Sequence, residues 1–291
     1  MPDFVTMHSF PHEFRDLKMN FDRMMTENDV SASFALSKNE NYMMDAVHSL
    51  KQVLAALNIK NVPIIIDEWN STIWQRDLCA DTCYRSAYII KNMLESMGQT
   101  NGKGYWTVSD YLSEWNAGND IFHGGQGIFT YNGIPKSAYY AFSFLNRMSD
   151  ELLAAEQGWY ATKTQDGIQI LFYHYCHYSV VYKLPSRSGN LYERYHAFKN
   201  TAPVEYHISV TGLKNTQYIC RYFRIGPNGG SAFDEWLAMG APKELTAEEL
   251  RYLKSKSIPT RQIVKHNELD DITVLVQPLE VVQLIISACD E

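Results

Sequence analysis

Val62-Pro-Ile-Ile-Ile-Asp-Glu-Trp-Asn70 is the most informative stretch of this 291-residue chain. The β-branched run 64–66, introduced by Pro63, predicts a strand buried on both faces, as in parallel sheets. Two carboxylates (Asp67, Glu68), an indole (Trp69) and an amide (Asn70) follow at once. Because residues at the carboxyl ends of parallel barrel strands line active sites, Glu68 is a candidate catalytic residue. The alternative is that Glu68 only begins a polar loop.

Composition narrows the function classes. A formal charge of −7 disfavours nucleic-acid binding, which requires a basic surface. No apolar run approaches the roughly 20 residues that span a bilayer, and no signal peptide precedes the first strand. Five cysteines, odd in number and scattered, are typical of free thiols in a reducing compartment. We therefore predict a cytoplasmic chain without nucleic-acid or membrane partners, and we predict neither a metal site nor a cofactor.

The pattern of apolar residues changes near residue 150. Residues 1–150 alternate strands with helices, which predicts about three βα units and a parallel sheet. Residues 151–291 contain short strands separated by turn residues, which predicts an antiparallel β-sandwich. The predicted strands are 3–8, 62–67, 104–109, 168–175, 204–211, 217–224, 272–277 and 279–287, and the predicted helices are 41–57, 80–97, 135–148 and one that begins at the capping box 246–249.

Candidate site residues occur at the end of each predicted parallel strand. His8 ends the first strand, Glu68 the second, and Trp106 lies in the third, with Glu114 beyond it. A carboxylate flanked by groups that stack on sugars and hydrogen-bond to hydroxyls suits glycoside chemistry. The glycines of Phe122-His-Gly-Gly-Gln-Gly-Ile128 do not match a nucleotide-binding loop, and they predict a tight turn with positive φ instead.

Three motifs make the chain resemble glycoside hydrolase family 39, the β-xylosidase family. They are Gly104-Tyr-Trp-Thr-Val-Ser-Asp110, the turn 122–128, and Gly133-Ile-Pro-Lys-Ser-Ala-Tyr-Tyr-Ala-Phe142. Residues 67–70 resemble the Thr-Glu-Trp/Tyr-Asn motif that holds the family's nucleophile. The second half resembles the family's accessory β-sandwich. The resemblance implies the C-terminal part of a (β/α)8 TIM barrel over 1–150, about its last three βα units, and an accessory β-sandwich over 151–291.

The resemblance also implies roles for individual residues. Glu68 matches the nucleophile of a retaining mechanism, and Trp106 matches a platform tryptophan that a cis peptide bond joins to Thr107. Phe10 stands where the family often has Tyr, and Ser113 replaces the first of two sugar-binding glutamates. The predicted substrate-binding residues are His8, Phe10, Trp69, Asn70, Trp106 and Glu114.

One family motif is absent from this chain. The family's general acid/base lies in an Asn-Glu-Pro motif, and the sequence contains none. We therefore expect a truncated family member, inactive or weakly active alone, whose full-length form hydrolyses β-xyloside-like substrates and binds a xylose-type saccharide. The alternative function is a non-catalytic sugar-sensing domain of an intracellular transcription regulator.

Overall fold

A computed structural model of the chain describes residues 2–14, 34–74, 77–112, 120–165, 167–179, 191–213 and 217–289. These residues form two compact units, each assembled from separate stretches of the chain. The first unit comprises Met1–Asp81, Asn92–Gly133 and His177–Lys199, and the second comprises Thr82–Lys91, Ile134–Cys176 and Asn200–Glu291. The expected domain boundary near residue 150 stays a prediction.

The first unit contains a three-stranded parallel sheet with β4 at its centre. This confirms the parallel pairing that the sequence predicts for the three strands. A short antiparallel pair, β2 with β3, lies in the same unit. Its elements are β1 (Val5–Ser9), β2 (His12–Phe14), β3 (Phe34–Leu36), α1 (Tyr42–Ala56), β4 (Ile64–Trp69), β5 (Gly102–Tyr105) and two 3₁₀ segments, Leu78–Asp81 and Leu191–Ala197. Helix α2 (Tyr84–Glu95) has residues in both units.

The second unit contains a six-stranded antiparallel sheet in the order β11-β10-β13-β8-β7-β6 and a two-stranded sheet, β12 with β9. Buried residues of both sheets, among them Leu284 and Val274, belong to one apolar cluster. The elements are α3 (Ser137–Leu145), β6 (Leu152–Glu156), β7 (Trp159–Thr164), β8 (Gly167–Tyr173), β9 (Val204–Ile208), β10 (Tyr218–Ile225), α4 (Ala232–Ala238), α5 (Ala247–Lys256), β11 (Thr260–His266), β12 (Ile272–Val276) and β13 (Val281–Ala288).

Local sequence signals explain the helices that were predicted. The Thr246 hydroxyl accepts a hydrogen bond from the Glu249 amide at 3.2 Å, and the Glu249 carboxylate accepts one from the Thr246 amide at 2.7 Å. This capping box begins α5 as predicted. In α1 the buried apolar residues are Met43, Val47 and Leu54, whereas Val53 and Leu57 are exposed.

The strands that the sequence did not predict include both edges of the six-stranded sheet. Every residue of β6 is exposed, and β11 is exposed or half-buried throughout. An edge strand pairs on one side only and here buries little, so the apolar residues of β6 and the mixed sequence of β11 do not follow burial, and neither strand was predicted.

Candidate active site

The carboxyl end of β4 brings two carboxylates to one histidine. The Nε2 atom of His8 lies 3.7 Å from an oxygen of Asp67 and 3.9 Å from an oxygen of Glu68. All three side chains reach solvent, with exposed fractions of 59% for His8, 42% for Asp67 and 32% for Glu68. A protonated imidazole would make an ion pair with either carboxylate at these distances. The predicted neighbours His8 and Glu68 are therefore brought together.

The strand alternation that should separate Asp67 from Glu68 is broken. Neighbouring strand residues normally point to opposite faces, which predicts that Asp67 faces away from the site. The register between β1 and β4 shifts between Met7 and His8, and that between β4 and β5 shifts between Ile66 and Trp69. Such irregularities re-aim side chains. The expectation for Asp67 was wrong because both ladders are irregular at this point.

Trp69 lies in the interior and offers no open ring face to a ligand. Its side chain is fully buried, and its indole packs edge-to-face on Tyr105 with ring centroids 5.1 Å apart. This contact joins the ends of β4 and β5, which pair at these two residues. The structure therefore gives Trp69 a packing position beneath the strand ends, whereas the sequence-based expectation was substrate contact.

Asn70 connects the strand end to the segments that follow β5. Its side-chain amide nitrogen donates to the backbone carbonyl of Trp106 and, at 3.3 Å, to that of Gln126. Its side-chain oxygen accepts from the Ser71 amide at 2.6 Å. Asn70 is fully buried, so it positions the backbone at Trp106 rather than presenting its amide to solvent.

The predicted cis peptide bond between Trp106 and Thr107 is confirmed. Trp106 is half-buried, and its amide donates to the carbonyl of Trp69 at 3.0 Å. Phe10, also half-buried, contacts the His8 ring edge-on with centroids 6.4 Å apart. Glu114 lies outside the described residues, as does Ser113.

The glycine-rich turn is held by buried carboxylates. Gly124 has φ +81°, as the tight turn requires, and its amide donates to Asp81 at 2.6 Å. The Gly127 amide donates to Asp110 at 2.8 Å. A Cβ on Gly127 would overlap backbone atoms of Ser109 and Asp110, so this position requires glycine for close approach.

We expect Asn70→Ala to lower the free energy of unfolding by about 1–3 kcal/mol, because two carbonyl groups lose a buried donor. Chemical denaturation would measure the difference. Asn132→Ala, which removes an exposed amide from the same unit, is the matched control and should change little. Equal effects of the two substitutions would contradict the positioning role of Asn70.

His12 is a buried titratable residue that the sequence did not single out. Burial lowers the pKa of His12 to about 4, although a hydrogen bond with the Phe10 backbone acts in the opposite direction. Its Nε2 atom lies 3.5 Å from the Thr72 hydroxyl. The burial of His12 depends on tertiary packing and leaves no local signal in the sequence.

The lowered pKa of His12 predicts a loss of stability in mild acid. Between the unfolded pKa near 6.5 and the folded value of about 4, the unfolded chain binds a proton that the folded chain does not. Stability therefore falls as pH decreases through this window, by about 2 kcal/mol between pH 7 and 5. Denaturation of His12→Asn should lack this component, whereas the exposed control His48→Asn should retain it. Identical pH dependence in wild-type and His12→Asn proteins would refute the assignment.

Neither a metal cluster nor a membrane helix is found in the parts of the chain that the structure describes. No group of three or more His, Cys, Asp or Glu side chains is arranged there to hold a metal ion. Among the helices of those same stretches, none has the length and apolar character needed to cross a bilayer.

Carboxylates at the ends of parallel strands are typical of α/β enzymes. The family model "Glycosyl hydrolases family 39" matches residues 3–270. The chain therefore belongs to glycosyl hydrolase family 39.

The matches to individual relatives cover only part of each relative's length. A β-xylosidase of Geobacillus stearothermophilus is 28% identical over 169 residues, 57% of this chain and 31% of the relative. An uncharacterized HTH-type transcriptional regulator of Staphylococcus aureus is 20% identical over 259 residues, 88% of this chain and 32% of the relative. The chain thus spans about a third of the curated relatives it matches.

A solved structure, that of a monomeric β-xylosidase from Caulobacter crescentus CB15, superposes with a TM-score of 0.77 at 22% identity. The match covers 99% of this chain and 56% of that one. At this identity the superposition establishes similarity of fold alone.

Proposed function

We propose that the full polypeptide is a retaining glycosidase that hydrolyses β-xyloside-like substrates, with Glu68 as the nucleophile. The observation that carries this proposal is the position of Glu68. Its carboxylate lies at the carboxyl end of the central parallel strand, is partly open to solvent and lies 3.9 Å from His8. Membership of family 39 and similarity to β-xylosidases support the substrate class.

In this proposal the Glu68 carboxylate attacks the anomeric carbon while the glycosidic C–O bond breaks, and a general acid supplied by another segment protonates the departing oxygen. Water then hydrolyses the covalent glycosyl-enzyme, which releases the sugar and regenerates Glu68. His8 lies beside Glu68 and hydrogen-bonds to a sugar hydroxyl. Trp106, whose backbone Asn70 holds, supplies the stacking platform. Phe10 lines the site next to His8, and Glu114 contributes a further sugar contact.

A retaining mechanism needs a second carboxyl group about 5–5.5 Å from the nucleophile. Asp67 is adjacent in sequence, but it lies on the same strand end as Glu68 and contacts the same histidine. We assign no residue of this chain as the general acid, because no Asn-Glu-Pro motif is present, and we propose that another segment of the full polypeptide supplies it. Residues 1–150 would then complete a (β/α)8 barrel, and 151–291 would be its accessory β-sandwich.

Hydrolysis of 4-nitrophenyl β-xyloside by the full polypeptide, followed by proton NMR, tests the proposed function. The first product should be the β-anomer of xylose. The present chain alone should be slower by about 10²–10⁴-fold, the usual contribution of general acid–base catalysis. Initial release of the α-anomer would refute the retaining mechanism. Binding of xylose in calorimetry without any hydrolysis would identify a sugar-binding module instead.

A further inference from the structure

Two tyrosines that the proposed mechanism does not use form an exposed aromatic surface. Tyr111 is 71% exposed and Tyr131 is 65% exposed. Their rings are stacked, with centroids 5.7 Å apart and planes inclined by 26°. Val108 and Leu112, both about half exposed, belong to the same segment as Tyr111. Contiguous exposed apolar surface of this kind marks a binding site more often than isolated exposed residues do.

Tyr111 and Tyr131 lie at one end of a two-stranded ribbon, and the other end of this ribbon begins at Trp106 and Gln126 beside the candidate active site. Two segments, 106–112 and 126–131, run side by side in parallel, with a bridge between Ser109 and Phe129. Backbone hydrogen bonds join them at intervals, including Thr107 to Gln126 at 3.3 Å and Asp110 to Phe129 at 3.0 Å.

The near end of the ribbon is held by Asn70, which donates to the carbonyls of both Trp106 and Gln126. Tyr111 and Tyr131 each lie five residues beyond these two anchored positions. Five residues of extended chain span at most about 17 Å. The tyrosine pair is therefore within reach of a short oligosaccharide whose terminal sugar occupies the candidate active site.

The residue composition of the two stretches that carry the tyrosines favours a neutral ligand over an anionic one. The stretches 105–112 and 121–132 contain no Lys or Arg, so they offer no cation for a phosphate, a carboxylate sugar or an anionic membrane. A tyrosine ring presents an apolar face with a hydroxyl at its edge, which matches a pyranose ring with its apolar face and peripheral hydroxyls.

We propose that Tyr111 and Tyr131 form a distal stacking site for a neutral pyranose oligosaccharide. This inference rests on the proposed function, since it extends the same binding site along the ribbon. One sugar would bind near Glu68 and Trp106, and a later sugar of the same chain would stack on the exposed faces of the tyrosine pair. The site would favour oligosaccharides over monosaccharides without changing the chemistry at Glu68.

Calorimetric titration with xylose and with xylotetraose tests this site, with the full polypeptide in a Glu68→Gln background that prevents turnover. Tyr111→Ala and Tyr131→Ala should each weaken xylotetraose binding by about three- to tenfold, the amount that one aromatic stacking contact supplies. Xylose affinity should be unchanged. Tyr131→Phe, which keeps the ring, should retain most of the affinity for xylotetraose. Tyr192→Ala, which removes an exposed tyrosine elsewhere in the same unit, is the control and should have no effect.

Each outcome separates the distal site from the proposed function. If the alanine variants bind xylotetraose as tightly as the parent, the distal site is refuted and the glycosidase proposal is unaffected. Equal weakening for xylose and xylotetraose would also refute it, because the tyrosines would then act at the proximal site. Unchanged sugar affinity together with reduced self-association in sedimentation would reassign the surface to contact between copies. If the parent binds neither sugar, both proposals fail. If the tyrosine variants bind xylotetraose more weakly than their parent, but the full polypeptide with Glu68 intact never hydrolyses xylosides, only the distal site is supported.

Discussion

Glu68→Gln is expected to abolish covalent labelling of the full polypeptide by a 2-fluoro-xyloside and to reduce turnover on the order of 10⁴–10⁶-fold, as removal of a nucleophile does in other enzymes. The amide is neutral and of nearly the same shape, so the substitution removes the nucleophile with little change in packing. Intact-protein mass spectrometry would detect the label on the wild-type protein and its absence from the variant. Peptide mapping would locate the labelled residue.

Asp67→Asn provides a matched control for this experiment. It makes the same chemical change one residue earlier, on a carboxylate that lies at a similar distance from His8. Labelling should persist, and turnover should fall less than about tenfold, because the neighbouring charge changes but the nucleophile remains. Labelling that survives in Glu68→Gln and disappears in Asp67→Asn would assign the nucleophile to Asp67.

Gly127→Ala is expected to be the most destabilising of the conservative substitutions near the site, at about 3 kcal/mol, the upper part of the range for inserting a methyl group into a packed interior. The new Cβ would overlap the backbone at Ser109 and Asp110, and backbone cannot move aside as a flexible side chain can. The hydrogen bond from the Gly127 amide to Asp110 would be strained as well. The thermal midpoint of the unit should fall by roughly 6–12 °C.

Gly102→Ala is the control for Gly127→Ala, because it adds the same methyl group within the same unit. Its Cβ would make an ordinary contact of 3.7 Å with the Ile65 side chain. A change within about 0.5 kcal/mol is expected there. If Gly127→Ala melts like Gly102→Ala, the close approach between the glycine-rich turn and the 109–110 backbone is not a structural requirement.

Much of the site could be predicted because its signals are local. A run of β-branched residues ending in carboxylates predicted β4 and the position of Glu68 at its end, since burial on both faces leaves an unbroken apolar pattern. The capping box at Thr246 and Glu249 is likewise contained within four residues. The positive φ at Gly124 was indicated by glycine itself, which adopts that conformation without steric cost.

Edge strands and buried polar residues could not be predicted in this way. Strand β6 begins with four apolar residues, yet every residue of it is exposed, and only its pairing with β7 makes it a strand. His12 resembles any other histidine in the sequence, and its low pKa arises from burial. Asn70 could be read as a ligand for sugar hydroxyls because its partners lie 36 and 56 residues away in the sequence.

The sequence was sufficient to predict that a parallel strand ends within one residue of Glu68, that a neighbouring strand ends within one residue of His8, and that a glycine-rich turn follows Trp106. Tertiary structure alone decided which way the side chains at these ends point. The ladder irregularities bring Asp67 to His8 together with Glu68, and packing against Tyr105 buries Trp69. The physical reason is the separation along the sequence over which each interaction acts. Periodicity and capping act over a few neighbouring residues, whereas register shifts, burial and hydrogen bonds to distant carbonyls depend on segments that meet only when the chain folds.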